Sequence, residues 1–70
     1  MKQLHSTMAG TVFQVVAAEG EEVTVGQTII VLESMKMEIP VDAEQAGKIM
    51  TIHAQVGDFV NEGDLLVSFE

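Results

Sequence analysis

The sequence predicts an all-β fold: a flattened β-barrel or sandwich of two four-stranded antiparallel sheets related by a pseudo-twofold axis. Three observations carry that prediction. A shift of 37 positions lays the chain over itself and pairs all six glycines. The apolar stretches are strand-length, rich in Val and Ile, and broken every six to ten residues by polar or glycine-bearing turns. No stretch shows the helical spacing of apolar residues over a helix length.

Element by element, a short strand near Gln3 to Ser6 opens the first half. Thr11 to Val15 follows, then the polar turn Glu19-Gly20-Glu21, a short Glu22-Val23, the turn Val25-Gly26-Gln27, and a strand from Thr28 to Ser34. The second half starts with Met37 to Asp42 and repeats the pattern from Lys48 to Glu70. Ala9-Gly10-Thr11-Val12 falls on Ala46-Gly47-Lys48-Ile49, Gly20 on Gly57, Gly26 on Gly63, and Ile29-Ile30 on Leu66-Val67. Glycine turns at the lowest conformational cost, so equal glycine placement implies equal turns. The chain reads as one domain over residues 1–70, with quasi-repeats 1–33 and 38–70 joined by a Met35-Lys36 hairpin.

Composition narrows the chemistry. With no cysteine there is no disulfide, thiol nucleophile or thiolate metal site, so a core of Val, Ile, Leu, Met and Ala must hold the fold alone. A net charge of −8, from three lysines against eleven acids, repels nucleic acid and anionic membrane surfaces. The longest aliphatic run, Ile29-Ile30-Val31-Leu32, is far short of the roughly 20 residues that cross a bilayer. Met1 to Ser6 lacks the apolar segment of a secretory signal, so the expectation is a cytoplasmic protein, monomeric on its own. His5 and His53 are read as structural or surface residues of two different strands, with no metal ligand at useful spacing. Ser6, Ser34 and Ser68 lack any nucleophile context, and no glycine run resembles a phosphate loop. No catalysis of its own is expected.

One segment departs from the turn rules that the rest obeys. Leu32-Glu33-Ser34-Met35-Lys36-Met37-Glu38-Ile39-Pro40 joins the two halves with Met35 and Lys36 at the bend. A two-residue hairpin needs positive φ at both central residues and ordinarily uses Asn-Gly or Asp-Gly. Residues that break a local rule in an otherwise consistent sequence mark a functional site. Met35 and Met37 add adaptable apolar surface around the lysine, and Glu33 and Glu38 flank it with solvated carboxylates.

Glu33-Ser34-Met35-Lys36-Met37-Glu38 resembles the attachment motif of the biotinyl/lipoyl-attachment domain family, whose commonest biotin form reads Ala or Ser followed by Met-Lys-Met. The resemblance covers nearly the whole chain, through Met8-Ala9-Gly10-Thr11-Val12, the Gly20 and Gly26 turns, Gly57-Asp58-Phe59-Val60 and Glu62-Gly63-Asp64. Two turns depart from the family pattern, with Ala9 where proline is frequent and Ala43-Glu44 where Ala-Pro is frequent. No insertion lies between Val15 and Gly20, so the chain most resembles the stand-alone, single-domain members.

That resemblance implies a barrel-sandwich hybrid and a biotin carboxyl carrier. A biotin-protein ligase would join the biotin carboxyl to Lys36. Biotin carboxylase would then load CO₂ from bicarbonate with ATP, and a carboxyltransferase would pass it on. It further implies that Glu33 and Glu38 are ligase recognition residues, while Met35 and Met37 flank the cofactor and matter more to the carboxylases. Two other readings remain open at this point: a lipoyl or dual biotin/lipoyl carrier on the same lysine, and a β-sandwich interaction module with an unmodified lysine.

Overall fold

The computed structural model describes residues 2–70; Met1, the first residue of the first quasi-repeat, lies outside the described residues. Eight strands run in order: β1 (Gln3–His5), β2 (Gly10–Val15), β3 (Glu22–Val23), β4 (Thr28–Ser34), β5 (Met37–Asp42), β6 (Gly47–Ile52), β7 (Phe59–Val60) and β8 (Leu65–Phe69). Among the described residues there is no helix. All pairings are antiparallel and form two four-stranded sheets, ordered β1-β8-β6-β3 and β5-β4-β2-β7. The 37-residue shift carries one order onto the other, as the repeat requires. β1 ends one residue before the expected Ser6, and β2 and β6 begin at Gly10 and Gly47, one residue earlier than expected. His53 lies just past the end of β6 rather than in a strand.

Each sheet takes two strands from each half. β1 pairs with β8 and β5 with β4, so each half lends its first strand to the last strand of the other. The shared core is correspondingly symmetric. Leu4 and Val41, Val12 and Ile49, Val23 and Val60, Ile29 and Leu66, Ile30 and Val67, and Leu32 and Phe69 are all buried at equivalent positions. Burying such aliphatic side chains contributes roughly 1.5–3 kcal/mol each, the main favourable term in a chain without covalent cross-links.

Four turns of one design connect the sheets. In each, a glycine with φ between +86° and +95° stands third (Gly20, Gly26, Gly57, Gly63). The fourth residue returns its side-chain oxygen to the first residue's N–H: Glu21 accepts from Ala18, Gln27 from Thr24, Asp58 from Gln55 and Asp64 from Asn61, at 2.8–3.2 Å. The side chain thus closes a local hydrogen bond that the exposed backbone would otherwise give to water.

Strand irregularities obey the same symmetry. Phe13 on β2 and Met50 on β6 are extra residues opposite their partners, and so are Ile29 on β4 and Leu66 on β8. Bulges sharpen the twist of a strand, which lets short sheets curl over a common core. Phe13 and Met50 point to solvent, whereas Ile29 and Leu66 are fully buried.

Gly10 and Gly47 are equivalent in the repeat but not in their surroundings. A Cβ on Gly10 would sit 3.0 Å from the Glu33 carbonyl oxygen, and one on Gly47 would meet only Phe69 side-chain atoms at 3.7 Å or more. Gly10→Ala is therefore expected to cost about 1–3 kcal/mol, because the obstructing atom is backbone. Gly47→Ala should change stability by less than about 1 kcal/mol. Urea unfolding midpoints of the two variants test the contrast, and equal midpoints would refute it.

Candidate functional site

The β4–β5 hairpin is the longest ladder in the molecule, with register pairs from Thr28↔Asp42 to Ser34↔Met37. Ser34 and Met37 close it, leaving Met35 and Lys36 as the two-residue bend. Their φ values are +52° and +64°, and among the described residues they are the only non-glycine residues with positive φ. For residues bearing a Cβ this conformation costs roughly 1–2 kcal/mol each. Glycine at these positions would be easier, but it would bring no side chain.

What the bend presents is a lysine with nothing holding it. Lys36 is exposed, beside Met35 at 92% exposure and the exposed Met37. The other two lysines are engaged: Lys2 Nζ donates to the Ala46 carbonyl at 3.0 Å, and Lys48 Nζ lies 3.8 Å from a Glu70 carboxylate oxygen. Among the described residues Lys36 makes no hydrogen bond or ion pair. A primary amine so placed can reach into another protein's active site while its backbone stays anchored in the ladder. Its Nζ is open to acylation by a carboxyl-bearing cofactor, since the long side chain projects from the bend and no neighbour has to be displaced.

Glu33 and Glu38 are brought directly opposite each other as register partners, both exposed. Like charges in that relation are destabilising. Glu33 also faces Thr11 on β2, and Thr11 faces Phe59 on β7, so the outer side of this sheet carries one row: Glu38, Glu33, Thr11, Phe59. All four are exposed. The row was not legible in sequence, because it depends on which strands are neighbours; the only local signal was the exposed-type pattern at Phe59, where the repeat partner is Glu22.

The remaining polar residues are occupied structurally. Ser6 is buried and bonds to Met8 through both backbone atoms, and Ser68 is buried with its hydroxyl 2.8 Å from His53 Nε2. His5 is exposed on β1. Among the described residues no three His, Asp or Glu side chains converge on a point that could hold a metal ion. A surface concavity lined by Lys2, Gln3, Leu4, Glu44, Gln45 and Phe69 does not involve the hairpin.

The strain at the bend yields a prediction. Replacing Met35 by Asn and Lys36 by Gly restores turn-compatible residues, and should raise stability by about 1–2 kcal/mol. A higher urea midpoint at unchanged slope is the expected result; a lower one would mean that the bend stores no strain.

Comparison with known proteins follows the same lines. Residues 2–69 match the biotin/lipoyl family described as "Biotin-requiring enzyme". A biotin/lipoyl attachment protein of Bacillus subtilis is 45% identical over 60 residues, covering 86% of this chain and 82% of that protein. The mitochondrial propionyl-CoA carboxylase alpha chain of Sus scrofa is 46% identical over 67 residues, covering 96% of this chain but only 9% of its own length. In the crystal structure of Kluyveromyces lactis urea carboxylase, a segment making up 6% of the chain superimposes on 99% of this one with a TM-score of 0.92 at 36% identity. The chain therefore belongs to the biotin/lipoyl family of biotin-requiring enzymes and is homologous to the biotin carrier domains of carboxylases.

Proposed function

We infer that Lys36 is the residue on which this biotin carrier is loaded, and that residues 1–70 work as a single attachment domain. The observation that carries the reading is the lone unengaged lysine, set in left-handed backbone at the end of the longest ladder within Glu33-Ser34-Met35-Lys36-Met37-Glu38. Its geometry fits an amide-linked group. In the acylation Nζ bonds to the carboxyl carbon of biotin, the activating group supplied from ATP leaves with the bonding pair, and the ammonium's surplus protons pass to solvent. Once bound, biotin supplies a ureido nitrogen able to carry a carboxyl group, chemistry that belongs to the cofactor and to the enzymes that act on it.

The chain's own contribution is presentation. The ladder fixes the root of the lysine, and the free side chain lets the tethered group sample a small volume, so that a high effective concentration replaces diffusion between two active sites. The partners this requires are a biotin-protein ligase, a biotin carboxylase and a carboxyltransferase; the carrier performs no bond-making step itself. A charge of −8 opposes self-association, which supports a monomer outside its complexes. No helix among the described residues is long and apolar enough to cross a membrane.

Intact mass tests the assignment directly. Protein made with both biotin and lipoyl ligases should gain the mass of one biotin. Lys36→Arg should gain none and lose streptavidin recognition, because a guanidinium keeps the charge but is not an acylation nucleophile. Lys2→Arg and Lys48→Arg should remain fully modified. Lipoate on Lys36 would make the chain a lipoyl carrier, and neither mass would make it an interaction module.

Roles around the bend separate in a second measurement. Glu33→Lys should slow ligase attachment about fivefold, equivalent to roughly 1 kcal/mol, with the loss shrinking as salt rises. Met37→Leu keeps apolar volume and loses flexibility. It should be attached almost normally, yet serve less well in ATP-dependent carboxylation of the attached biotin. The opposite pattern of initial rates would overturn this division.

A further inference from the structure

The pseudo-twofold provides an internal comparison for the surface positions of the turns and of β3 and β7, where the same backbone path occurs twice. Where the two copies differ in chemistry, the fold is not what demands the difference. Phe59 is 65% exposed, and its equivalent on β3 is Glu22. The four glycine turns extend the comparison. The second residue of each is Glu19, Val25, Val56 or Glu62, all exposed. The turns of Glu19 and Glu62 bond to Ile49 and Ser6, beside the β1-β8-β6-β3 sheet. Those of Val25 and Val56 bond to Ala43 and Val12, beside the sheet that carries Lys36.

Valine and phenylalanine thus surround one sheet where glutamate surrounds the other. Phe13, 42% exposed at the β2 bulge, is matched by Met50 at 41% on the other sheet, so the contrast rests on Phe59, Val56 and Val25. Glutamate serves at the equivalent positions, Glu19 also accepting a hydrogen bond from the Ile52 N–H at 3.0 Å, so the turn and strand geometry does not itself require valine or phenylalanine there. The apolar side is also continuous with the hairpin, because Phe59 ends the row that runs through Thr11 to Glu33 and Glu38. With strands about 4.8 Å apart, that row spans roughly 14 Å. That is about half the width of a patch of roughly 800 Å², the area a partner covers in a standard interface.

We propose that the outer face of the β5-β4-β2-β7 sheet docks the ligase that acylates Lys36, with Phe59 and Val56 as its apolar anchor and Glu33 and Glu38 facing cationic groups of that enzyme. This rests on the acylation of Lys36 inferred above. The ligase is the occupant because it alone must bring its reacting atoms to Nζ itself, which draws its surface down onto the neighbouring strands. Enzymes acting on the attached group meet it at the far end of the lysyl arm. Charge decides the chemistry of the docked surface: a face with paired carboxylates beside aromatic and aliphatic side chains complements an apolar pocket edged by Lys or Arg. It repels a second copy of this chain, which carries the same charge of −8.

The test is steady-state biotinylation of the full chain by a biotin-protein ligase with ATP and biotin. Phe59→Glu installs the residue that the equivalent position already holds, so the fold should survive, checked by an unchanged circular dichroism melt. KM for the carrier should rise about tenfold with kcat within twofold. Val56→Glu, matched to Glu19, should raise KM in the same direction, and keeps the test open if Phe59→Glu misfolds. Met50→Glu, on the opposite sheet, should leave KM within twofold. Unchanged KM in the Phe59 and Val56 variants would overturn the docking face while leaving the carrier intact, and so would a wild-type dimer that Phe59→Glu dissolves without moving KM. A wild-type chain that the ligase leaves unmodified would overturn both readings together.

Discussion

Neither half of this chain can bury its own apolar side, and most of the architecture answers that constraint. Some thirty residues offer too little interior to offset the entropy of ordering them. The halves therefore exchange strands, β1 going to β8 and β5 to β4, until each sheet is built from both. Equivalent residues such as Ile29 and Leu66, or Val12 and Ile49, then meet in one core from opposite sides. The exchange also creates the hairpin. β4 and β5 belong to different halves and are nevertheless adjacent in sequence, so the chain must reverse between them within two residues.

That reversal has no counterpart elsewhere in the described chain, and its position explains how strain can persist there. Left-handed backbone at Met35 and Lys36 suits the twist of the hairpin but costs each residue its Cβ strain, and the ladder behind them, the longest among the described residues with Leu32 fully buried within it, holds them there. The packing of β4 against β2 on its other side fixes the strand further. A paired base and an unbonded lysine side chain suit the attachment proposed for Lys36: the sheet places the root, and no contact holds the side chain.

Local chemistry made much of this readable from sequence. Glycines at one spacing located the four turns, and runs of β-branched residues located β3, β4 and β5 at their observed limits. The broken turn rule at Met35-Lys36 pointed to the bend, and the structure shows the left-handed backbone that the rule requires there. Strand neighbours were less accessible, because pairing of β1 with β8 joins residues sixty or more positions apart. The bulges at Phe13, Met50, Ile29 and Leu66 left a faint trace, since Ile29-Ile30 and Leu66-Val67 place two adjacent residues in the core where alternation allows one. The row from Glu38 to Phe59 left none, being a property of four strands together.

Symmetry separates what the fold needs from what the function adds. Positions alike in both halves, such as the turn glycines and the paired core aliphatics, are explained by folding alone. Gly10 and Gly47 show how the copies diverge even when the residue is the same, for only Gly10 lies against the backbone of Glu33, on the strand that leads to the bend. Close approach of β2 at that point lies one residue before Ser34 closes the ladder. The differences in side-chain chemistry fall mainly on the same sheet, where Phe59 answers Glu22 and Val56 answers Glu19. The core pairs stay apolar in both halves, whereas these exposed pairs differ in chemistry, and the apolar member of each stands beside the sheet that ends in Lys36.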